Sequence, residues 1–302
     1  MKNILKSFSF KQTGSFLFVL SLLLANALIF WIYLLNEEKA SISISDRIIF
    51  IGGHPRSGTT LMRVLLDVQG SIYCGPETRL LEPLMILSTN LSERFPPNEL
   101  LLRTRIFAKS IKEATASFIL HVLKTRNKQE NKILCAKDPP IVNFMDKLVD
   151  LFPNSKYIFM VRDGRAVAFS LVRYQRLEFN FKNYLDKLKE WNYTNNKTMT
   201  LCNKVGPKYC KMVKYENLVL NKESVLRDLM QFLELKWNDR MLNHEIFMNS
   251  DVELGRTEWS NSQVVKPIYY KDSRKDWTKE IEDYDEKTIR KEIPMLKFFG
   301  YF

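Results

Sequence analysis

Short apolar runs mark the predicted strands of this chain. Residues 48–51 (Ile-Ile-Phe-Ile) end at two glycines, and residues 157–161 (Tyr-Ile-Phe-Met-Val) follow a Pro-Asn turn. Residues 211–215 resemble a further strand. Runs that are this short, largely apolar and bounded by turn residues are typical of strands buried on both faces of a sheet.

Apolar residues at helical spacing occupy the segments between these runs. Helices are predicted to begin near Thr59 and after Gly164, and to cover residues 100–124 and 223–235. Strands that alternate with helices predict an α/β fold, in which a central parallel sheet is flanked by helices on both faces. With 302 residues, the chain has room for one large domain of this kind or for two small ones.

The N-terminal segment has the pattern of a membrane anchor. Residues 15–35 carry no charge and are long enough to cross about 30 Å of hydrocarbon as a helix. Lysines precede this segment and glutamates follow it, so the positive-inside rule places the N-terminus in the cytosol and the rest in the lumen. A cleaved signal peptide is the alternative, but the apolar run is longer than the usual core of such a peptide. We expect a cytosolic tail at 1–13, a transmembrane anchor at 14–35, a stem at 36–46 and one lumenal domain at 47–302.

The lumenal placement decides how the charge and the cysteines are interpreted. A net charge of +12 predicts an anionic partner, and a lumenal domain disfavours nucleic acid in that role. Four cysteines in an oxidising compartment indicate two disulfides, and a metal site is disfavoured because no Cys-x-x-Cys pair occurs. Asn-x-Ser/Thr sequons make Asn90, Asn192 and Asn196 candidate glycosylation sites.

The strongest local motif lies between the first predicted strand and the first predicted helix. Residues 53–60 read Gly-His-Pro-Arg-Ser-Gly-Thr-Thr, with the glycine spacing of a phosphate-binding loop. Backbone N–H groups and a helix N-terminus make such a loop a cradle for an anion. Thr59 replaces the lysine that nucleotide hydrolases require, and the cation is Arg56 inside the loop. The motif therefore predicts phosphate binding without Mg²⁺-triphosphate machinery, and a Gly-rich turn without a ligand is the alternative.

Arginines follow the second predicted strand. Arg162 and Arg165 lie at its carboxyl end, where open α/β sheets bind their ligands. They suit a second phosphate held by bidentate hydrogen bonds, and Ser170 adds a hydroxyl. The alternative is a pair between Asp163 and an arginine that caps a helix. Together with the first loop, the arginines indicate a nucleotide phosphorylated at two positions.

In combination these motifs resemble the protein-tyrosine sulfotransferases. Residues 55–60 resemble the 5′-phosphosulfate loop of sulfotransferases, and residues 161–166 with Ser170 resemble their 3′-phosphate site. The resemblance implies a P-loop-like sulfotransferase fold and covers roughly residues 47–301. Three further segments resemble the protein-tyrosine sulfotransferases rather than sulfotransferases in general: Cys-Gly-Pro-Glu-Thr-Arg at 74–79, Lys-Asp-Pro at 137–139 and Val-Val-Lys-Pro at 264–267.

The resemblance implies an activity and a cellular setting. The implied reaction moves a sulfuryl group from 3′-phosphoadenosine 5′-phosphosulfate (PAPS) to tyrosine hydroxyls, leaves 3′,5′-bisphosphorylated adenosine, and requires no metal. The implied substrates are acidic, tyrosine-containing segments of secretory proteins. The family is found in the Golgi membrane as single-pass type II proteins with a lumenal catalytic domain, and the resemblance allows a homodimer.

Four residues match the catalytic groups of the family. Glu77 matches the general base, which is needed because a tyrosine hydroxyl has a pKa near 10. Arg56, Lys137 and Ser260 match the groups that stabilise charge during the transfer. Taken alone, Glu77 is better explained as a solvated loop acid and Lys137 as a salt-bridged turn residue, and the neighbouring motifs reverse this for Glu77.

The resemblance also implies bonds and binding contacts. It pairs Cys74 with Cys135 and Cys202 with Cys210. It places the substrate peptide against Arg79, Leu80, Leu81, Glu82 and Pro83. It assigns nucleotide contacts to Arg56, Ser57, Gly58, Thr59, Thr60, Arg162, Ser170, Tyr215, Ser260, Asn261, Ser262, Gln263, Val264, Val265, Lys266 and Lys275.

The chain departs from the family pattern near both binding sites. Pro83 replaces an arginine that usually holds acidic peptides, which weakens the expected preference for them. Tyr174 replaces a further nucleotide-binding arginine. The alternative functions are a carbohydrate sulfotransferase, a lumenal nucleotide kinase or phosphatase, and a non-catalytic scaffold.

Overall fold

The computed structural model describes residues 46–93, 101–127, 132–248, 250, 252–255, 264–265 and 280–302, together with Asn26. All of them except Asn26 fall in one compact unit, Ile44–Phe302.

A parallel sheet forms the centre of this unit. Its strands are β1 (Ile48–Gly53), β2 (Ile72–Tyr73), β3 (Ile133–Lys137), β4 (Lys156–Val161) and β5 (Cys210–Lys214). In the described residues they lie in the order β2-β3-β1-β4-β5, and each neighbouring pair is parallel. The central strand β1 is buried along its whole length, which explains why its sequence is apolar without alternation.

Helices connect the strands and cover the sheet. They are α1 (Thr59–Gln69), α2 (Leu81–Glu93), α3 (Leu101–Arg126), α4 (Met145–Leu151), α5 (Gly164–Tyr174), α6 (Phe181–Val205), α7 (Tyr215–Leu220), α8 (Lys222–Phe232), α9 (Glu286–Glu292) and α10 (Pro294–Phe298), and 3₁₀ helices cover Pro139–Phe144 and Asp239–Phe247. Successive residues of β1 point to opposite faces, so that Phe50 joins one apolar cluster and Ile51 another. The two clusters form the two layers of the core.

The predicted α/β fold with a central parallel sheet is confirmed. The predicted strands appear as β1, β4 and β5, and the predicted helices as α1, α3, α5 and α8, with ends that differ by a few residues. Tyr215, predicted at the end of a strand, begins α7 instead.

Some elements were not predicted from the sequence. β2 contains two residues, too few to give a pattern, and β3 ends on a charged residue, Lys137. The long helix α6 is rich in polar residues and buries only a narrow stripe.

The predicted transmembrane segment 14–35 and the stem lie outside the described residues, apart from Asn26 and Asp46. Within the described part of the chain, no helix combines the length and the apolar character needed to span a bilayer.

Both cysteine pairs implied by the family resemblance are bonded. Cys74 lies just after β2 and is joined to Cys135 in β3, with Cα atoms 4.1 Å apart. Cys202 near the end of α6 is joined to Cys210 at the start of β5, with Cα atoms 5.4 Å apart. Each bond attaches a connecting segment to the sheet.

The three sequons all lie in helices. Asn90 in α2 and Asn196 in α6 are exposed. Asn192 is half-buried, and its side-chain oxygen accepts a hydrogen bond from the backbone nitrogen of Met295 at 3.0 Å.

The start of α5 packs closely on α6. A Cβ atom added at Gly164 would lie 2.6 Å from Cδ2 of Trp191, a rigid ring with no exposed surface. Glycine at this position therefore allows the helix that follows β4 to begin directly against the core.

We expect Gly164→Ala to lower the free energy of unfolding by about 1–3 kcal/mol, because the added methyl group overpacks the contact with Trp191. Denaturant unfolding measures the change. In a double-mutant cycle with Trp191→Phe, the cost of Gly164→Ala should shrink, and an unchanged cost would contradict the steric explanation.

Candidate active site

The carboxyl ends of four strands meet at one edge of the sheet. β1 leads into the loop before α1, β3 ends at Lys137, β4 leads to Arg162, and β5 leads to Tyr215. Because all the strands are parallel, their first loop residues lie side by side. The residues singled out from separate parts of the sequence are thus gathered here by the topology.

The loop between β1 and α1 has the conformation of an anion cradle. Gly58 precedes α1 in a left-handed conformation and no side chain caps the helix, so its first N–H groups are left for another acceptor. Arg56 also has a positive φ, 73°, which is costly for a residue with a Cβ atom. The loop ends on Thr59 and Thr60, both buried.

The polar groups of the loop fit a phosphate. Ser57 has no exposed surface, and within the described part of the chain its Oγ atom has no hydrogen-bond partner. The buried Nε of Arg162 likewise lacks a partner among the described residues. Tyr215 limits the space, because a Cβ added at Gly58 would lie 2.5 Å from its ring. The loop therefore combines unsatisfied donors with a shape that needs glycine.

Arg56, Ser170 and Arg162 come together beside this loop. Nε of Arg56 donates to Oγ of Ser170 at 2.9 Å, and Arg162 donates to the backbone oxygen of Arg56 at 3.2 Å. The Arg162 guanidinium also lies over the ring of Tyr215, 4.6 Å from its centre. Burial, and then the nearby charge of Arg162, lower the pKa of Arg56. Two adjacent cations of this kind favour binding of an anion.

Arg165 does not join them. It forms an ion pair with Asp163 at 2.8 Å, and it donates to the backbone oxygen of Tyr301 at 2.8 Å. Asp163 in turn caps α5 by accepting from the backbone nitrogen of Arg165. The prediction that two arginines hold the second phosphate is therefore wrong for Arg165, which is held by its carboxylate partner, and the helix-capping alternative describes it correctly.

On the other side of the loop, Glu77 and Lys137 form an ion pair. The side chain of Lys137 has no exposed surface, and its ammonium contacts Oε1 of Glu77 and lies 3.4 Å from Oγ1 of Thr60. Arg79 lies 3.6 Å from the other carboxylate oxygen. Lys137 is thus a buried strand residue rather than a turn residue, and it connects the carboxylate to the start of α1.

The segment that carries Glu77 is held at several points. Asp67 in α1 accepts a hydrogen bond from the backbone nitrogen of Cys74 at 2.7 Å and a second from Gly75. Asp67 is itself paired with Arg63 at 3.1 Å, and both side chains are buried. Arg126 at the end of α3 donates to the backbone oxygen of Pro76. With the disulfide at Cys74, these bonds fix the approach to Glu77 from three elements.

Asp138 is a further buried carboxyl that was not assigned a role from the sequence. It accepts a hydrogen bond from the backbone nitrogen of Leu81 at the start of α2. Its other oxygen, Oδ2, is buried without a partner among the described residues. Burial, with Glu77 and Glu82 nearby, raises the pKa of Asp138 to about 6, against the opposing effect of Lys137.

The residues predicted to contact a peptide differ in their exposure to solvent. Arg79 and Leu80 are exposed beside Glu77, and Pro83 is exposed in the first turn of α2. Glu82 is half-buried. The side chain of Leu81 has no exposed surface and belongs to the core, so the structure does not present it to a peptide as it presents Arg79 and Leu80.

The predicted nucleotide-covering segment is described only in part. Val264 is buried and its backbone oxygen lies 3.1 Å from Nε2 of His244, while Val265 is 41% exposed. The remaining predicted contacts lie outside the described residues: Ser260, Asn261, Ser262, Gln263, Lys266 and Lys275.

Comparison with solved structures shows which class of fold this is. The chain matches the sulfotransferase domain of the Synechococcus PCC 7002 olefin synthase with a TM-score of 0.59 and 24% identity, over 85% of this chain and 95% of that one. It matches the sulfotransferase domain of the curacin biosynthetic pathway with a TM-score of 0.58 and 20% identity, over 83% and 98% of the two chains. This is the α/β fold of the sulfotransferases.

Sequence comparison identifies the family within this class of fold. Residues 48–239 match the model of the sulfotransferase family. The chain is 34% identical to the Drosophila melanogaster protein-tyrosine sulfotransferase over 88% of its own length, and spans 54% of that relative. It is 34% identical to protein-tyrosine sulfotransferase A of Caenorhabditis elegans and to protein-tyrosine sulfotransferase 1 of Danio rerio, over 84% of its length and 67% and 72% of theirs. The chain belongs to the sulfotransferase family and, within it, to the protein-tyrosine sulfotransferases.

The raised pKa of Asp138 predicts a pH-dependent contribution to stability. A carboxyl with a higher pKa in the folded state stabilises the fold below its unfolded pKa, near 3.9, and loses that contribution as the pH rises through about 6. Asp138→Asn, which keeps an acceptor for Leu81, should therefore gain stability relative to the wild type between pH 4 and pH 7, by up to about 3 kcal/mol.

Denaturant unfolding at a series of pH values measures this difference. Asp283→Asn is the control, because it removes a carboxylate from an exposed position. If the two variants showed the same pH dependence, the buried site of Asp138 would not be its cause.

Proposed function

We propose that this chain transfers a sulfuryl group from PAPS to tyrosine hydroxyls of proteins in the secretory pathway, and that Glu77 is the general base. The observation that carries the proposal is the ion pair of Glu77 with Lys137, whose ammonium also lies 3.4 Å from Thr60. A carboxylate and an anion cradle are thereby placed next to each other. Membership of the protein-tyrosine sulfotransferases supports this choice of donor and acceptor.

The two sides of the phosphate loop suit the two phosphates of the nucleotide. The unsatisfied donors of the loop, with Arg56, would hold the 5′-phosphosulfate. Arg162 and Ser170 would hold the 3′-phosphate, and Tyr215 would pack against the nucleotide from the end of β5. When bound, PAPS supplies an activated sulfuryl group on a phosphate that can leave. No residue has to form a covalent bond to the transferred group.

The chain's own residues then supply proton removal and charge stabilisation. Glu77 accepts the phenolic proton as the tyrosine oxygen attacks, which a hydroxyl with a pKa near 10 requires at neutral pH. Lys137 and Arg56 would stabilise the negative charge that develops on the leaving phosphate. The contact of Lys137 with Glu77 keeps the carboxylate in position until the acceptor arrives.

The nucleotide-covering segment, the peptide preference and the cellular location are assigned by analogy with the family. Ser260 and the segment of Asn261, Ser262, Gln263, Val264, Val265 and Lys266, together with Lys275, are proposed to cover the nucleotide. Arg79 and the charge of +12 favour acidic peptides, and Pro83 weakens that preference. We also propose a Golgi membrane location, with residues 14–35 as the anchor and the catalytic domain in the lumen.

The nucleotide site is tested by Arg162→Met. Loss of a charge-assisted hydrogen bond to the 3′-phosphate should weaken binding of adenosine 3′,5′-bisphosphate about 10- to 100-fold and leave 5′-AMP binding nearly unchanged. Isothermal titration calorimetry measures both affinities. Arg227→Met, in an exposed pair on α8, is the matched control. Equal losses for the two nucleotides would show that Arg162 does not contact the 3′-phosphate.

The base is tested by Glu77→Gln. This change keeps the shape and removes the proton acceptor, so turnover should fall by about 10²–10⁴ while the affinity for the nucleotide is nearly unchanged. Lys137→Ala should also lower turnover, because charge stabilisation is lost. Rates are measured with radiolabelled PAPS and a tyrosine peptide in an acidic context.

A fluorinated tyrosine acceptor separates the two variants. Its phenol is already more acidic, so it should partly restore the rate of Glu77→Gln and should not restore Lys137→Ala. An unchanged rate for Glu77→Gln on ordinary tyrosine would place the base elsewhere. Circular dichroism of both variants controls for unfolding, since each change leaves one member of the ion pair without its partner.

A further inference from the structure

The C-terminal residues of the described chain lie directly behind the nucleotide site. The hydroxyl of Tyr301 donates to Oε2 of Glu216 at 2.8 Å. The other carboxylate oxygen of Glu216 accepts from the backbone nitrogen of Asp163 at 2.9 Å. A single carboxylate therefore connects the C-terminal segment to the turn that follows β4.

Glu216 and Asp163 are each next in sequence to a residue of the proposed nucleotide site. Asp163 follows Arg162, and Glu216 follows Tyr215. Arg162 and Tyr215 lie against each other, with the guanidinium 4.6 Å from the ring centre, and Tyr215 packs on Gly58 of the phosphate loop. A shift at Glu216 would thus move the two residues proposed to contact the nucleotide at the ends of β4 and β5.

Several other contacts fix Tyr301 itself. Its backbone oxygen accepts from Arg165 at 2.8 Å, and its backbone nitrogen donates to Leu296 at 2.8 Å. Lys214 donates to the backbone oxygen of Phe299. Burial and the adjacent Glu216 raise the pKa of Tyr301, so its hydroxyl keeps the proton that it donates.

We propose that Tyr301 is a positioning residue for the nucleotide site, which holds Arg162 and Tyr215 in place through the side chain of Glu216. The inference rests on the proposed function, because it assumes that Arg162 contacts the 3′-phosphate. Tyr301 is thereby added to the residues that determine nucleotide binding, although it lies far from Arg162 and Tyr215 in the sequence and does not touch the nucleotide. The set of Tyr301, Glu216 and Asp163 is called the C-terminal clamp below.

Tyr301→Phe removes the hydrogen bond from the hydroxyl to Glu216, keeps the ring, and leaves the bond between Glu216 and Asp163 in place. We expect the affinity for adenosine 3′,5′-bisphosphate to fall about 5- to 10-fold, which corresponds to about 1–1.4 kcal/mol for one buried hydrogen bond. The affinity for 5′-AMP should fall less, so the preference for the bisphosphate decreases. In the sulfation assay, KM for PAPS should rise while kcat at saturating PAPS is unchanged.

Two further variants distinguish positioning from a general loss of stability. Tyr193→Phe removes a hydroxyl from a ring that is 70% exposed on α6 and should change neither affinity. Glu216→Ala should weaken bisphosphate binding at least as much as Tyr301→Phe. In the Glu216→Ala background, Tyr301→Phe should have no additional effect, because the path to the site is already broken.

The outcomes separate the inference from the function on which it rests. If the wild type binds the bisphosphate no better than 5′-AMP, the proposed nucleotide site is wrong, and the role of the clamp is overturned with it. If the wild type shows the preference and Tyr301→Phe retains it in full, only the clamp is overturned. A lower melting temperature of Tyr301→Phe with an unchanged preference would assign Tyr301 a purely structural role and would likewise overturn the proposal. Additive losses in the double variant would refute the path through Glu216.

Discussion

The buried ammonium of Lys137 is the constraint on which the arrangement of the site depends. A charge without solvent contact must be paired, and removal of one partner of such a pair costs about 3–5 kcal/mol. Lys137 ends a strand next to the central strand, so its position is fixed by the sheet. The carboxylate that neutralises it, Glu77, must therefore be brought to the sheet edge. The bonds of Asp67, Arg126 and Cys135 to the segment before Glu77 all serve this placement.

The phosphate loop divides the sheet edge into two halves whose residues suit different chemical roles. On the β3 side lie Glu77 and Lys137, which have groups suited to proton removal and charge stabilisation. On the β4 and β5 side lie Arg162 and Tyr215, which suit binding. Thr60 of the loop contacts Lys137 on the β3 side, and Arg56 of the loop contacts Ser170 on the β4 side. This separation explains why the two halves are expected to show different phenotypes, in turnover on one side and in affinity on the other.

The sequence predicted those parts of the site that are carried by local patterns. The strand, loop and helix around Gly58 follow from composition and spacing, because each element is determined by its own residues. The pairing of the cysteines came from family resemblance alone, since four cysteines allow several pairings. The contact of Arg165 with Tyr301 was not predicted, because 136 residues separate the two. The contact of Asp138 with Leu81 was not predicted either, because the two residues lie in different segments of the chain. The burial of Leu81 was missed for the same reason, since it depends on packing against distant helices.

The bond between Cys74 and Cys135 makes the placement of Glu77 depend on the oxidation state of the chain. It closes three residues before Glu77 in the segment after β2 and two residues before Lys137 in β3, so it crosslinks the two segments that carry the ion pair. In a chain whose thiols stay reduced, the segment before Glu77 would keep its hydrogen bonds to Asp67 and Arg126 and the ion pair of Glu77 with Lys137, but would lose the covalent link to β3. Formation of the bond would thus complete the placement of the proposed base, much as cleavage completes the active site of a zymogen.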